Sequence, residues 1–409
     1  MFLIAYGESD IIYIVISKYK YGGGVETVAR FIHHFISMYA KRCTRKNMVK
    51  NYIIYKCHIN QKQALKKNDL VNESQICINV FPIPVLEDVT YNIKYVSKIF
   101  NISKKYPNEK FVVIANAEEG LGCLLLKIIF KQRMKYIHVS HGLWRYVLSL
   151  RRKYEGFKFK IASLLVQPIL DLMENMPLYF ADKIIAVSNK LKQDLVATYK
   201  LPARKVSVIY NCIVDNFVEI EKSKARRILN LPQDKKVLLM VGRDIFVKGI
   251  DIGTKVFSKL DRDDVILVIV SDKKKFINRL LQEYGIDESR ILLYDYVDQK
   301  KLNLLYSGAD VLLFLSRYES FGLTPLEALA SGTLPLISRN CGVAEVLLLN
   351  RDLYEILVTT LDEKDILNRV LYLLNLDHEE YRKIVREAKD LIFRLYRITM
   401  YKYREVLLP

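Results

Sequence analysis

Residues 317 to 335 read RYESFGLTPLEALASGTLP, with two carboxylates, Glu319 and Glu327, set around a Thr-Pro pair. Two carboxyls astride a bond are what a glycosidase needs. A second reading places them beside a bound ligand instead. Thr324 is predicted to cap a helix with Pro325 at its first position and Glu327 at N3, where Glu327 bonds back to the Thr324 amide as a capping box. Ser331-Gly332 ends that helix. The unpaired amides of Phe321, Gly322, Leu323, Thr324 and onward to Leu326 then suit a phosphate or sugar hydroxyl. Glu319 stands before the helix, in a strand-to-helix loop. A carboxylate on either side of those amides fits hydroxyl binding better than proton transfer.

Cations come from residues 242 to 249, GRDIFVKG, which carry Arg243 and Lys248 after the apolar run KVLLMV. Two fixed cations there can hold a diphosphate and stabilise the charge that grows on it as a leaving group, without a metal. The plain alternative is two surface cations in an ordinary loop. Near the start, Gly22, Gly23 and Gly24 open a helix in KYKYGGGVETVARF, and backbone free of side chains admits a phosphate or an acceptor closely. Any tight turn could use the same glycines. His141, in YIHVSHGLW, ends a strand and can face a cleft, although a lone histidine is more often structural. No metal site is expected. His138 and His141 lack an HExxH helix, and the DxD-like Asp261-Arg262-Asp263 precedes its strand, as a turn would.

The elements that must position these groups alternate between strand and helix. IIYIVIS (11 to 17), FVVIA (111 to 115), KYIHV (135 to 139), KIIAV (183 to 187) and VSVIY (206 to 210) are continuously apolar runs bounded by turns, the mark of parallel strands covered on both faces. The pattern restarts with KVLLMVG (236 to 242), VILVIV (265 to 270), ILLYDYV (291 to 297), VLLFLS (311 to 316) and TLPLIS (333 to 338). An α/β chain with two Rossmann-like, doubly wound parallel sheets follows, and 409 residues suit two cores. The expected units are 1–212, 213–385 and a closing helical segment, 386–409. Apolar runs stay strand-length, too short to cross a bilayer. The N-terminus lacks a basic, cleavable leader, and six scattered cysteines with no CxxC indicate no disulfide framework and a reducing cytoplasm.

Charge is uneven. The first 200 residues hold 31 Lys and Arg against 15 Asp and Glu, and the rest 33 against 30, within a net charge of +19. A basic half attracts nucleic acid or an anionic membrane face, unless it is only a lysine-rich surface. LWRYVLSLRRKYEGFKFKIASLLV (143 to 166) interleaves aromatics with Arg145, Arg151, Arg152, Lys153, Lys158 and Lys160, as an interfacial segment would.

In order along nearly the whole chain, ADKIIAVSNKLKQDL, VIYNCIVDNF, GRDIFVKG, LLYSGADVLLFLSRYESFGL and ASGTLPLI resemble the retaining glycosyltransferases of family 4. ESFGLTPLE is similar to the family's E-x7-E signature, and GRDIFVKG to its GR-x4-KG element. The resemblance implies a GT-B fold and transfer of a sugar from a nucleotide-diphosphate donor with retention, independent of metal. By position it implies that Glu319 binds donor-sugar hydroxyls and Glu327 the ribose. Arg243 and Lys248 hold the diphosphate, assisted by amides from Phe321 to Thr324. Gly22 to Gly24 lie by the donor phosphate and acceptor, His141 lies near the reacting sugar, and a C-terminal helix returns to the first domain. Three departures stand out: Asn211-Cys212 and Cys341-Gly342 where the family has glycine second or first, and VSDKKK (270 to 275) at a strand end that is usually glycine-rich.

The resulting expectation is an EC 2.4 hexosyltransferase with no cofactor and no metal, acting on a glycan or lipid-linked acceptor. It is expected in the cytoplasm, peripheral on the inner membrane face at an anionic surface, with no nucleic acid as partner. A GT-B-like phosphorylase or sugar-nucleotide epimerase, and more distantly a nucleic-acid binder, are the alternatives.

Overall fold

The structure is a computed structural model that describes residues 11–19, 24–42, 50–58, 75–80, 86–213 and 217–408. Its apolar runs form two sheets whose described pairings are all parallel. The first comprises β1 (Ile11–Tyr19), β2 (Lys50–His58), β3 (Gln75–Val80), β4 (Lys110–Asn116), β5 (Met134–Ser140), β6 (Lys183–Ala186) and β7 (Val206–Val208), in the order β3-β2-β1-β4-β5-β6-β7. The second comprises β8 (Lys236–Val241), β9 (Val265–Val270), β10 (Ile291–Tyr294), β11 (Val311–Phe314), β12 (Leu334–Ser338) and β13 (Val358–Thr359), ordered β10-β9-β8-β11-β12-β13.

Helices cover the first sheet as α1 (Gly24–Arg42), α2 (Leu86–Lys105), α3 (Leu121–Phe130), α4 (Trp144–Tyr154), α5 (Phe157–Phe180) and α6 (Asn189–Tyr199). Those after it are α7 (Lys222–Leu229), α8 (Ile250–Ser258), α9 (Lys274–Glu283), α10 (Gln299–Gly308), α11 (Thr324–Ala330), α12 (Ala344–Leu347), α13 (Arg351–Leu357), α14 (Glu363–Asn375) and α15 (His378–Leu407). Central strands are buried on both faces, from Ile12 to Ile16 in β1 and along all of β9. That double burial is why they read as unbroken apolar runs.

Both sheets reverse their order beside their first strand, between β1 and β4 and between β8 and β11. Loops leaving such neighbours part to opposite faces and open a crevice at the carboxyl edge, where α/β sheets bind ligands. The long α15 joins the two units. Its early Tyr381 hydroxyl donates to the Asp310 carbonyl at 2.9 Å, beside β11. Farther on, Thr399 Oγ1 donates to the Tyr210 carbonyl at 3.0 Å, and the Tyr13 hydroxyl of β1 donates to the Leu407 carbonyl at 3.2 Å.

Several expectations are corrected. β2 and β3 were not anticipated, because Lys56 cuts the apolar run of β2 short and β3 is a sheet edge whose first three residues are half-buried. The 143–166 stretch is two helices, broken at Glu155-Gly156, where both residues are extended. Cys77 is disulfide-bonded, although the scattered cysteines indicated no framework. Cys123, Cys212 and Cys341 are buried free thiols.

Candidate active site

β8 and β11 flank the crevice of the second sheet, and the loops that follow them carry the signature residues. After β8 the chain runs through Arg243 to Gly249. Lys248 donates its amide to the Asp244 carbonyl at 2.9 Å, and the Val247 amide bonds Asp244 Oδ1 at 3.0 Å, which curls the loop. Gly249 closes it at φ +69°, where a Cβ would sit 2.0 Å from the Leu315 carbonyl oxygen, so only glycine fits.

After β11, Arg317 ties the second loop to the first. Its amide donates to the Val247 carbonyl at 2.9 Å, and its guanidinium bonds the Phe246 carbonyl and both oxygens of Asp251, each at 2.7 Å. Two positions on, Glu319 forms an ion pair with Lys248. Burial works against the Lys248 charge, but the Glu319 carboxylate outweighs it and holds the ammonium above the ordinary lysine value. Glu319 is fixed from behind as well, since its carbonyl accepts the Gly342 amide at 3.0 Å. Arg243 is exposed, and among the described residues nothing pairs with it. One cation is therefore oriented by a carboxylate that uses one of its three N–H donors, while the other is exposed with no partner among the described residues.

The loop then enters α11 with Phe321 buried and Gly322 at φ +95°. The capping box is not formed: the N-cap is Leu323, whose side chain cannot accept a hydrogen bond, and Thr324 is already helical. Gly322 delivers the chain one residue early, so the helix starts before threonine can cap it. Glu327 instead accepts a hydrogen bond from the Tyr306 hydroxyl at 2.9 Å and remains half-buried. Among the described residues no acceptor takes the amides of Gly322, Leu323 and Thr324.

On the first sheet, His141 follows β5. Asn116, at the end of β4, donates its Nδ2 to the Ile16 carbonyl at 2.9 Å, so its Oδ1 must face the histidine. His141 Nε2 lies 2.9 Å from that oxygen and therefore carries the proton, leaving the Nδ1 lone pair as an acceptor. Burial pulls the His141 pKa down to about 4, so the ring is neutral near pH 7. Its neighbour Gly142 faces the opposite loop, for a Cβ there would approach Ser320 Oγ to 2.8 Å. His141 and the Glu319 loop thus meet across the cleft. Gly24 begins α1; Gly22 and Gly23 lie outside the described residues.

Motif spacing missed the groups that join the two halves. Glu345 of α12 accepts the Asn189 and Lys190 amides of α6, each at 2.8 Å, a carboxylate at a helix N-terminus across the domain boundary. Tyr154 of α4 stacks on Phe246 with ring centroids 4.3 Å apart, while the Arg317 guanidinium lies over its ring at 4.8 Å. Arg151 pairs with Asp244 at 3.4 Å, and Tyr146 stacks on Tyr318 at 5.2 Å. α4 is thus an inter-domain element. Of its aromatics and arginines, expected at a membrane, Tyr146, Tyr154 and Arg151 meet the second domain, Arg145 pairs with Asp171, Arg152 bonds Gln167 of α5, and Trp144 is exposed. Only the position of Asn116, ending the strand next to β5, offered a signal in the sequence.

Two doubly wound domains with their signature loops facing across a cleft define a GT-B architecture. Models of the glycosyl transferases group 1 and of glycosyltransferase family 4 match residues 221–391 and 63–217, and the chain belongs to this family. An uncharacterised glycosyltransferase of Methanocaldococcus jannaschii is 33% identical over 183 residues, 43% of this chain and 47% of its own. The chain thus spans about half the length of that relative. Sucrose-phosphate synthase from Thermosynechococcus elongatus superposes over 97% of this chain and 98% of its own with a TM-score of 0.71, at 19% identity. Anabaena HepE, solved in complex with UDP-glucose, superposes over 97% and 99% with a TM-score of 0.67, at 16% identity.

Proposed function

We propose that the chain is a retaining hexosyltransferase that moves a sugar from a nucleotide-diphosphate donor to a glycan or lipid-linked acceptor, without a metal. The observation that carries this is the pairing of Lys248 with Glu319 at the switch point of the second sheet, in the loop that also carries Arg243, which has no partner among the described residues. Arg243 and Lys248 would hold the diphosphate and stabilise its growing charge as the sugar leaves. That supply of fixed positive charge is the ground for metal independence. The free amides of Gly322 to Thr324 would add donors to the same oxygens. Glu319, oriented by Lys248, would accept from sugar hydroxyls, and Glu327 from the ribose.

Across the cleft, neutral His141 would accept a hydroxyl proton in a hydrogen bond at Nδ1, orienting the sugar for same-face substitution. Its low pKa suits this role, since an imidazolium has no lone pair to offer. Gly22 to Gly24 would approach the donor phosphate and acceptor. HepE, held with UDP-glucose, supports a nucleotide sugar as the donor class. We place the enzyme in the cytoplasm, peripheral on an anionic membrane face, on the ground of the basic excess in the acceptor-side half; the cysteines no longer support this location, since Cys77 is disulfide-bonded.

The test is a thermal-shift screen across UDP-, GDP- and ADP-sugars, followed by product analysis. A matching donor raises the melting temperature by mass action, and nucleoside diphosphate appears with a glycosylated product of retained configuration, chelator present or not. Release of a sugar phosphate would point to a phosphorylase, and an altered free nucleotide sugar to an epimerase.

A further inference from the structure

Helix α5 follows β5 and precedes β6, so it runs back along the first sheet from the cleft side to the amino edge. Its outward face is apolar: Ile161, Leu164, Leu165, Ile169, Leu172 and Met176 are 37–72% exposed. Helical spacing puts these six on one stripe. No Lys or Arg occurs from 161 to 182, and both carboxylates of the helix are engaged elsewhere. Asp171 pairs with Arg145 at 2.7 Å, and Glu174 accepts the Trp144 amide at 3.3 Å. Helix α3 packs alongside and widens the face with Leu125, Ile128 and Ile129, each about half exposed or more. An apolar surface this continuous marks an interaction site.

At the amino edge, where β5 and β6 begin, Lys127, Lys131, Lys135 and Lys183 surround an open pocket. Asp182 also lines it but is neutralised by Lys127 at 2.6 Å. Lys131 and Lys183 are exposed and have no carboxylate partner among the described residues. Burial, and next the nearby Lys183, lower the Lys135 pKa, so an anion in this pocket would relieve a strained charge.

We propose that α3, α5 and this lysine cluster form a surface that docks on an anionic bilayer. The apolar stripe lies at the headgroup–acyl boundary and the lysines reach phosphodiester groups. The inference rests on the reading that the enzyme works at a membrane; it keeps the α5 part of the 143–166 stretch, drops α4, and adds α3 and the lysine cluster. A second copy is the poorer occupant, since an isologous contact would set unpaired lysines against each other. Among the described residues no helix is long and apolar enough to cross a membrane, which fits a helix lying in the interface.

The experiment is flotation of the full chain with vesicles of phosphatidylcholine alone and of phosphatidylcholine mixed with phosphatidylglycerol. Alongside it, binding of nucleotide sugars is measured without lipid by thermal shift. The wild type should float with the mixed vesicles and poorly with the neutral ones. Leu165→Asp with Ile169→Asp, at exposed positions that leave the fold intact, should reduce binding at least tenfold. Lys131→Gln with Lys183→Gln should reduce it about fivefold per lysine. Equal binding to both vesicle types, or full binding by the aspartate variant, overturns the proposal. So does an aspartate variant that turns a dimer into a monomer while the wild type ignores vesicles. Nucleotide-sugar binding by a protein that never floats sinks the surface alone, whereas flotation without binding of any nucleotide sugar sinks the transfer reading alone.

Discussion

The carboxyl edges of the two sheets are built on one topology and hold opposite chemistry. The β8 and β11 edge gathers charge: Lys248 on Glu319, Arg317 on Asp251, and Arg243 left open. The described part of the β4 and β5 edge holds neutral, directional groups, with Asn116 fixing the tautomer of an uncharged His141. A diphosphate is held by charge and a sugar hydroxyl by geometry. On the proposed reading, the donor phosphates would lie at one edge and the reacting hydroxyls at the other.

Removing the charge should have the largest effect. Arg243→Ala and Lys248→Ala are each expected to lower turnover by two to three orders of magnitude, as loss of one preorganised donor does. The two should differ in stability. Arg243→Ala removes an exposed side chain with no partner among the described residues and should leave the melting temperature in place. Lys248→Ala strands the Glu319 carboxylate in a partly buried site and lowers it. Near-normal turnover in both variants would erase the contrast between the edges.

The neutral edge comes next. Asn116→Ala frees the His141 ring to rotate and exchange tautomers, so turnover should fall between about tenfold and a hundredfold, as misplacement of a positioning contact does. Donor affinity, measured by calorimetry, should not change, because the proposed diphosphate site is on the other edge. A variant that loses donor affinity in step with turnover would place His141 on the donor phosphates.

The doubly wound architecture was legible because parallel strands buried on both faces become unbroken apolar runs, and β1, β4, β5 and β8 to β12 all stood out that way. β2 escaped for the complementary reason, since Lys56 cuts its apolar run short. Glu319, Arg243 and Lys248 were legible because strand-end loops advertise charge beside glycine. What spacing could not reveal was pairing at a distance. Nothing local to GRDIFVKG says that Lys248 meets a carboxylate 71 positions on. Nor does anything in LWRYVLSLRRKY say whether its aromatics face a membrane or another domain. The capping box failed at a single residue, because Gly322 in a left-handed conformation starts the helix before Thr324 can cap it.

The neutral edge also makes a prediction about acid. Burial lowers the His138 pKa to about 3, with His141 and Lys205 adding repulsion, and its Nδ1 lies 2.8 Å from the Tyr136 hydroxyl. A histidine whose folded pKa lies below its unfolded value of about 6.5 binds fewer protons when folded, so stability falls as pH drops from 6.5 toward 3. Urea unfolding at pH 7 and pH 5 should differ by about 1–2 kcal/mol on account of His138. His138→Gln, which cannot titrate, should shrink the total pH 7 to pH 5 difference by that amount, with His141 keeping its own share; an unchanged slope would mean that His138 does not contribute.

The smallest effect tests whether the first domain helps shape the charged edge. Tyr154 reaches across from α4 and lies between Phe246, inside the cationic loop, and the Arg317 guanidinium that stitches both loops together. Such a stack contributes about 0.5–1.5 kcal/mol. Tyr154→Ala should therefore raise the donor KM about fivefold while kcat changes little, since the ring positions the phosphate loop and touches no reacting atom. Tyr154→Phe keeps the ring and should restore the wild-type KM. If phenylalanine fails to rescue, the hydroxyl and not the stack carries the effect; if alanine lowers kcat alone, the loop is set within the second domain and the two edges act independently.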